Sequence, residues 1–381
     1  MPESYIEPLT NRQECFKCHM TVTGKKKLSK CAGCHAITYC GKECQVADFK
    51  RHKWNCVPVM VTEIPGKGRG LVAAKDIKKG ELLLKEKIAI QIRSDGINFE
   101  KHRDSVLVQL DNLPHEAKEQ FHLLKVPDSI NGLYEGDRLT MQKFMSNSRR
   151  TRLEGNLDLY YLLLNSALIN HSCGPNVQIS LHLNPLIPND EFKTEARAIR
   201  DIYKGDEITK CYLGYDVIIN SGFNRQIRMK RIKETLGFDC KCCICSGKFE
   251  DQENLVKELR DLTKSLDPHH HQKKIVDWRR ELQIYQMMVE LAENLTLGPV
   301  VDLKSNILGS FAAAAHLGRD EDLLRKAMDS LDKLVEDSKM RDVGLGNDRF
   351  KQDTSIWTFH LKSKKPPKKK EIDSFLVHLA F

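Results

Sequence analysis

No uninterrupted apolar run in this chain approaches the ~18 residues of a membrane span, so no helical membrane anchor and no contact with a membrane are expected. The stretch from Met1 to Glu14 is polar and lacks the apolar centre of a secretory signal peptide. An unanchored protein of the cytoplasm and nucleus is therefore expected. A strict internal repeat is also missing, although three amphipathic helices in a row near the end of the chain suggest a helical-hairpin array. What remains is 381 residues, enough for two or three domains with a substantial core. The 61 Lys and Arg outnumber the 52 Asp and Glu, a net charge of +9 that suits acidic partners such as nucleic acid or histone-containing complexes. The same excess also suits a plain solvated surface. Nothing in the sequence calls for an oligomer, and a monomer is expected.

The 13 cysteines are clustered: seven lie between Cys15 and Cys56 and four between Cys240 and Cys245, leaving only Cys173 and Cys211 apart. In a reducing compartment, tight Cys-x2-Cys pairs read as metal ligands rather than disulfides. The first cluster is Cys15, Cys18, Cys31, Cys34, Cys40, Cys44, His52 and Cys56, spaced C-x2-C-x12-C-x2-C-x5-C-x3-C-x7-H-x3-C. Eight ligands fill two closed tetrahedral zinc sites with none left over, and a closed site has a structural role. The segment is poor in apolar residues, so metal must hold it together. The x3 spacings are expected to place Cys40 with Cys44, and His52 with Cys56, on one face of a helical turn.

Beyond the cysteines the patterning alternates. Val59–Ile64 and Leu82–Ile92 read as strands, as do Val177–Leu183, Thr194–Ile199 and Glu207–Tyr212. Residues 99–165 carry helical periodicity, and so does the chain from about 250 onward. There, three amphipathic stripes stand out: Leu255, Leu259, Leu262, Leu266; Ile284, Met287, Met288, Leu291; and Leu323, Leu324, Ala327, Leu331, Leu334. Lys362–Lys370 and the run containing His269, His270 and His271 read as solvated loops.

Four further segments carry chemistry. Gly66-Lys67-Gly68-Arg69-Gly70-Leu71 is a glycine motif, which alone is no more than a basic turn that lets backbone approach a ligand. Asn170-His171-Ser172-Cys173-Gly174-Pro175-Asn176 closes the apolar run Leu162–Ile169. An isolated histidine there would read as a hydrogen-bonded core residue, but the seven-residue motif is far more specific. Ala198-Ile199 leads through Gly205-Asp206-Glu207-Ile208-Thr209 to Tyr212, which by itself would read as a half-buried strand tyrosine. Finally, Phe238-x-Cys240-x-Cys242-x-x-Cys245 offers three cysteines, and Cys173 supplies the fourth ligand of a third structural zinc.

The first cluster resembles the MYND finger, down to Tyr39-Cys40, Lys42-Glu43-Cys44-Gln45 and the ending His52-Lys53-x-x-Cys56. A RING finger, the rival cross-braced pattern, places its histidine mid-pattern rather than next to last. The four later segments resemble the SET methyltransferase fold, and with the finger the chain resembles the SMYD family over residues 15–247. That resemblance implies an α+β multidomain protein: a MYND finger at 15–56, a β-rich SET domain with a pseudoknot at 57–220 carrying a helical insert at about 99–165, a post-SET zinc segment at 221–249, and a TPR-like helical domain at 250–381. It also implies interleaved finger ligands, with Cys15, Cys18, Cys40 and Cys44 on one zinc and Cys31, Cys34, His52 and Cys56 on the other.

By the same resemblance the activity is transfer of methyl from S-adenosyl-L-methionine to a lysine of a histone or non-histone protein. Lys67, Gly68, Arg69, Asn147, Asn170, His171, Tyr212 and Phe238 are the implied cofactor contacts, with Phe238 on the adenine and the Tyr212 hydroxyl near the transferring methyl. A proline-rich peptide is the implied partner of the finger. Two features depart from the better-known family pattern: the finger precedes the glycine motif instead of interrupting the SET domain, and Leu236 stands where a tyrosine is common. The second keeps open an alternative, a catalytically weak or inactive scaffold that binds partner proteins in transcriptional regulation.

Overall fold

The computed structural model describes residues 14–21, 28–53, 56–94, 99–127, 132–152, 158–182, 193–213, 225–247, 250–266, 277–295, 300–317 and 320–337. The expected loops at 362–370 and around His269–His271 lie outside these residues. The chain divides into two compact units. The first comprises Met1–Asn170, Asn176–Lys210 and Leu236–Phe238; the second comprises His171–Pro175, Cys211–Thr235 and Asp239–Phe381.

The first unit opens with the finger. Strands β1 (Ser29–Lys30) and β2 (Thr38–Tyr39) pair antiparallel, and helix α1 (Lys42–His52) follows. Its small core is Cys15, Cys31, Cys34, Ile37 and Tyr39. Three of those five are cysteines, so apolar burial alone is too small to order it. After it come β3 (Val59–Ile64) and β4 (Gly68–Ala73), which form a hairpin in the register Ile64↔Gly68. Strands β5 (Leu82–Lys87) and β6 (Ile90–Ser94) lead into α2 (Arg103–Asp111), α3 (His115–His122) and α4 (Gly136–Asn147).

The helical periodicity expected through residue 165 stops at Asn147. Arg149–Arg152 (β7) and Asp158–Leu162 (β8) are strands, with β8 paired to β6 on one side and β7 on the other. The segment Leu159-Tyr160-Tyr161-Leu162 is rich in the aromatic residues that suit a pleated surface, and its pairing to two neighbours overrides the local helical pattern. Strand β9 (Asn170–His171) comes next, then β10 (Val177–His182), β11 (Lys193–Ala198) and β12 (Glu207–Lys210). The resulting sheets are ordered β3-β4-β12-β9, β10-β11-β5 and β6-β8-β7.

Two apolar clusters hold this unit. One joins Leu71, Ile77, Leu83, Leu163, Ile169, Ile179 and Ile208 between the sheets. The other packs Val106, Phe121, Met141 and Phe144 of the helices against Ile90, Ile92 and Leu162.

The second unit is helical: α5 (Arg225–Leu236, whose last residue falls in the first unit), α6 (Glu250–Ser265), α7 (Trp278–Glu293), α8 (Val300–Leu317) and α9 (Glu321–Asp337). From α6 onward each helix packs on the next. Met287, expected on a buried stripe, is 51% exposed; Leu282 and Tyr285 face inward instead. Helix α8 shows no amphipathic stripe in sequence because α7 and α9 both cover it, burying Ile307, Phe311, Ala312 and Ala315. No described helix is long and apolar enough to cross a membrane.

One polar cluster sits inside the first unit. Glu86 of β5 is buried and accepts the backbone N–H of Asn165 (2.9 Å), the backbone N–H of Ser166 (2.8 Å) and the Ser166 hydroxyl. Lys210, buried on β12, donates from Nζ to the Ser166 carbonyl at 2.6 Å. Burial pushes the Lys210 amine down to about 7, with the positive charge of Arg149 adding to the effect and Glu86 opposing it. Burial raises the Glu86 carboxyl.

A lysine whose folded value lies below its unfolded value of ~10.4 binds more protons when unfolded, so it makes stability rise with pH. The burial cost is therefore full below pH about 7 and relieved between there and the ordinary lysine value. Urea unfolding of zinc-loaded protein at pH 7 and pH 9 should show a stability gain that is missing in Lys210→Met. Equal pH slopes in the two proteins would show that Lys210 does not titrate in this window.

Candidate functional site

The structure gathers the twelve metal-ligand candidates into three sets of four, each with its ligand atoms within 4.8 Å of one another: Cys15, Cys18, Cys40, Cys44; Cys31, Cys34, His52, Cys56; and Cys173, Cys240, Cys242, Cys245. A tetrahedral zinc with Zn–S bonds of ~2.3 Å needs sulfurs about 3.8 Å apart. The separations lie near that edge: Cys18–Cys40 3.7 Å, Cys40–Cys44 3.5 Å, Cys31–Cys56 3.8 Å, Cys173–Cys240 4.0 Å and Cys173–Cys245 3.5 Å. His52 aims Nε2 at Cys31 Sγ (3.2 Å) and Cys34 Sγ (3.5 Å). Tyr39 stands edge-on to the His52 ring and donates its hydroxyl to Asp48 at 2.8 Å, which fixes that side of the finger.

Helix α1 does not carry both ligands of each x3 pair, as their spacing had led us to expect. It begins after Gly41 and ends at His52, so Cys44 and His52 sit at its two ends while Cys40 and Cys56 lie just outside. Each of these two sites thus draws one ligand from an end of the helix and another from the chain just outside it. Gly33 shows how close the knuckles are, since a Cβ there would sit 2.9 Å from Cys56 Sγ.

Without a cation, such crowded sulfurs resist ionising together. The neighbouring Cys40 pushes Cys44 up to about 12, burial and the nearby thiolates push Cys56 to about 12, and contact with Cys240 drives Cys173 upward. All-sulfur and sulfur–nitrogen sets at these distances fit a closed structural zinc.

The glycine motif lies in the first unit, at the start of β4. Gly68 has φ +76°, a conformation that favours glycine. Around it, Lys67 Nζ pairs with Glu207 Oε2 at 2.6 Å, and Asn170 Nδ2 donates to Glu207 Oε1 (3.1 Å) and to the Arg69 carbonyl (3.3 Å). Arg69 Nη2 donates to the Leu123 carbonyl at 2.8 Å. Asn147 ends α4 with its amide given to the carbonyls of Lys125 (2.9 Å) and Lys143 (2.8 Å). The structure thus brings Lys67, Gly68, Arg69 and Asn170 together around one carboxylate, while Asn147 braces the neighbouring loop. Phe238 is half-buried just beyond α5.

The second unit holds His171, Tyr212 and the third cysteine set. His171 is buried; its Nδ1 accepts the Tyr212 backbone N–H at 3.0 Å, and its Nε2 lies 3.3 Å from Cys173 Sγ. With Nδ1 accepting, a neutral ring carries its proton on Nε2 and donates it to the Cys173 sulfur. The rings of His171 and Tyr212 are tilted at 5.3 Å, and Tyr212 is 37% exposed. This link from a metal-site sulfur through His171 to the tyrosine backbone was not read from the sequence, where His171 was assigned only to the cofactor.

Comparison with known families follows these landmarks. Residues 15–56 match the MYND finger, and residues 68–213 match the SET domain. The chain carries a MYND finger followed by a SET domain. The chain is distantly homologous to the SMYD proteins. It is 24% identical over 354 residues to the N-lysine methyltransferase SMYD2-B of Xenopus laevis, covering 87% of this chain and 68% of that protein. The human N-lysine methyltransferase SMYD2 is 26% identical over 305 residues, covering 76% and 65% of the two chains. The mouse histone-lysine N-methyltransferase SMYD3 is 24% identical over 291 residues, covering 73% and 63%. For the last two, the chain spans less than two thirds of the relative's length.

Metal analysis of reduced, chelator-washed protein should return three zinc ions per chain. Cys240→Ser should lose one and Cys31→Ser should lose a different one. An unchanged count in Cys240→Ser would sink the third centre.

Proposed function

We propose that the chain is a protein-lysine N-methyltransferase that uses S-adenosyl-L-methionine. The observation that carries this reading is Tyr212, held through its backbone by the histidine of the Asn-His-Ser-Cys motif inside a SET domain. The chemistry of the glycine turn fits the cofactor: Gly68 presents backbone without a side chain, Lys67, Arg69 and Glu207 supply charge of both signs, and Asn170 supplies a neutral amide. The residues put forward to hold it are Lys67, Gly68, Arg69, Asn147, Asn170, His171 and Phe238. When bound, the cofactor supplies an activated methyl on a sulfonium. The acceptor amine must be neutral to attack, although free lysine titrates near ~10.4, so the chain must desolvate it. Tyr212 orients that amine through its hydroxyl, and the released proton passes to water. Catalysis of this kind rests on positioning and electrostatics. We extend the reading to a lysine-bearing protein as substrate and a partner protein at the finger.

Leu236 favours a second reading. It closes α5 as a half-buried aliphatic residue where the family often has a tyrosine, so a scaffold that keeps the SET fold and binds partner proteins but has lost turnover is the alternative.

Single-turnover transfer with cofactor titration separates the two. Tyr212→Phe keeps the ring and the backbone N–H given to His171, so fold and cofactor affinity should persist while the rate falls by ~100-fold. A wild-type rate in this variant would remove the hydroxyl from the mechanism. A wild-type protein that binds cofactor yet methylates nothing on a peptide array would favour the scaffold.

A further inference from the structure

The helix-to-loop stretch after α3 carries a lysine that the sequence does not point to. The ammonium of Lys125 lies against the turn of the glycine motif: a Cβ built on Gly68 would sit 2.5 Å from Lys125 Nζ and 3.3 Å from its Cε. The backbone that presents this lysine is fastened on several sides. Arg69 Nη2 donates to the Leu123 carbonyl at 2.8 Å, Lys143 Nζ donates to the His122 carbonyl, and Asn147 Nδ2 donates to the Lys125 carbonyl at 2.9 Å. Next to it, Leu124 is buried with Phe121 and Phe144. The lysine therefore projects from a fixed point.

Its charge is not answered among the described residues. Among the described residues the Lys125 ammonium makes no ion pair or hydrogen bond, and the side chain is exposed. The nearby carboxylate, Glu207, is already engaged by Lys67 at 2.6 Å and Asn170 at 3.1 Å. Three cations, Lys67, Arg69 and Lys125, thus gather about one glycine turn, where Glu207 is held by Lys67 and Asn170 and Glu63 stands opposite Arg69 in the hairpin, leaving Lys125 without a carboxylate among the described residues. That arrangement calls for an anion beside Gly68.

We propose that Lys125 binds the carboxylate of the methionyl end of S-adenosyl-L-methionine, as a cofactor-binding residue contributed by the helical segment rather than by the glycine motif. The proposal rests on the methyltransferase reading above, because the carboxylate is the one anionic group of that cofactor. Glycine at 68 then serves two ends: it permits the positive φ and leaves the space that the lysine amine occupies. A side chain at 68 would displace the ammonium from the anion it is there to meet.

The test is calorimetric titration of zinc-loaded full-length protein with S-adenosyl-L-methionine, with S-adenosyl-L-homocysteine and with decarboxylated S-adenosylmethionine, which lacks only the carboxylate. Lys125→Ala should weaken the first two about tenfold or more, the range of a charge-assisted hydrogen bond. Its affinity for the decarboxylated ligand should match wild type, and Lys125→Arg should restore most of the loss. Thermal melting of the unliganded variants should be unchanged, since the side chain is exposed. Equal affinity of wild type and Lys125→Ala for the carboxylate-bearing ligands overturns the proposal alone. So does an equal loss with all three ligands, which would mean the lysine only shapes the loop. If wild-type protein binds none of them but takes up inorganic phosphate in a Lys125-dependent way, the methyltransferase reading falls and the cradle serves another anion. If it binds neither, both the reading and the proposal fall.

Discussion

The side-chain amide of Asn176 stands in for a neighbouring strand. Its Nδ2 donates to the Glu207 carbonyl at 2.8 Å and its Oδ1 accepts the Thr209 N–H at 2.8 Å, so one residue satisfies the backbone of β12 on the side where the ladder is interrupted. Buried backbone groups left unpaired cost about as much as a lost hydrogen bond, so this strand depends on that amide. What the strand carries shows why that matters. Glu207 anchors Lys67 and Asn170 at one end, and Lys210 reaches the Ser166 carbonyl at the other. Losing Asn176 would release the carboxylate around which the glycine turn is arranged. An aspartate in its place would accept the Thr209 N–H but leave the Glu207 carbonyl without a donor.

Charge is distributed unevenly along this arrangement, and the contrast separates structural from ligand-facing groups. The buried Glu86 and Lys210 meet through Ser166 and its neighbours, by contacts internal to the first unit. Replacing one partner of such a cluster leaves the other poorly solvated, and this is where large destabilisation is expected. Lys125 is the opposite case: it is exposed, unpaired among the described residues and held against a backbone rather than an acid. Surface lysines usually gain little from one fixed place. Fixing the loop at Leu123 and Lys125 makes sense where the amine has a partner that arrives from solution.

The legible parts of the chain were those whose chemistry fixes spacing. Twelve metal ligands could be assigned because zinc demands four donors at a set separation, so each site had to close at four, the third by drawing Cys173 from a separate segment. Strands such as Val59–Ile64 were legible because β-branched residues fill them. The parts that were not legible depend on partners remote in sequence. Residues 149–152 and 158–162 carry a pattern compatible with a helix and are strands because β6 pairs with β8 and β8 with β7. Helix α8 hides its amphipathicity because two neighbours bury it, and Met287 looks apolar enough for a core position that it does not occupy. Lys125 belongs to no motif; it acquires a role only when α3 ends beside the glycine turn. The His171 link was hidden for a different reason, since a motif names a residue without saying which of its two ring nitrogens meets which partner.

That last point bears on how a proton leaves in the proposed transfer. A histidine beside the reacting tyrosine would ordinarily be the first choice of general base. Here the Nδ1 lone pair is taken by the Tyr212 N–H, and Nε2 faces the Cys173 sulfur. To accept a proton, His171 would have to give up its hold on the Tyr212 backbone, and an imidazolium would form in a buried position. The arrangement therefore favours a fixed ring that orients the Tyr212 backbone. The metal-site sulfur sets the tautomer, the tautomer leaves Nδ1 free to accept, and that acceptance holds the backbone from which the tyrosine hydroxyl is presented. With His171 committed in this way, the proposed transfer draws no base from this ring, and its burden falls on desolvation and alignment.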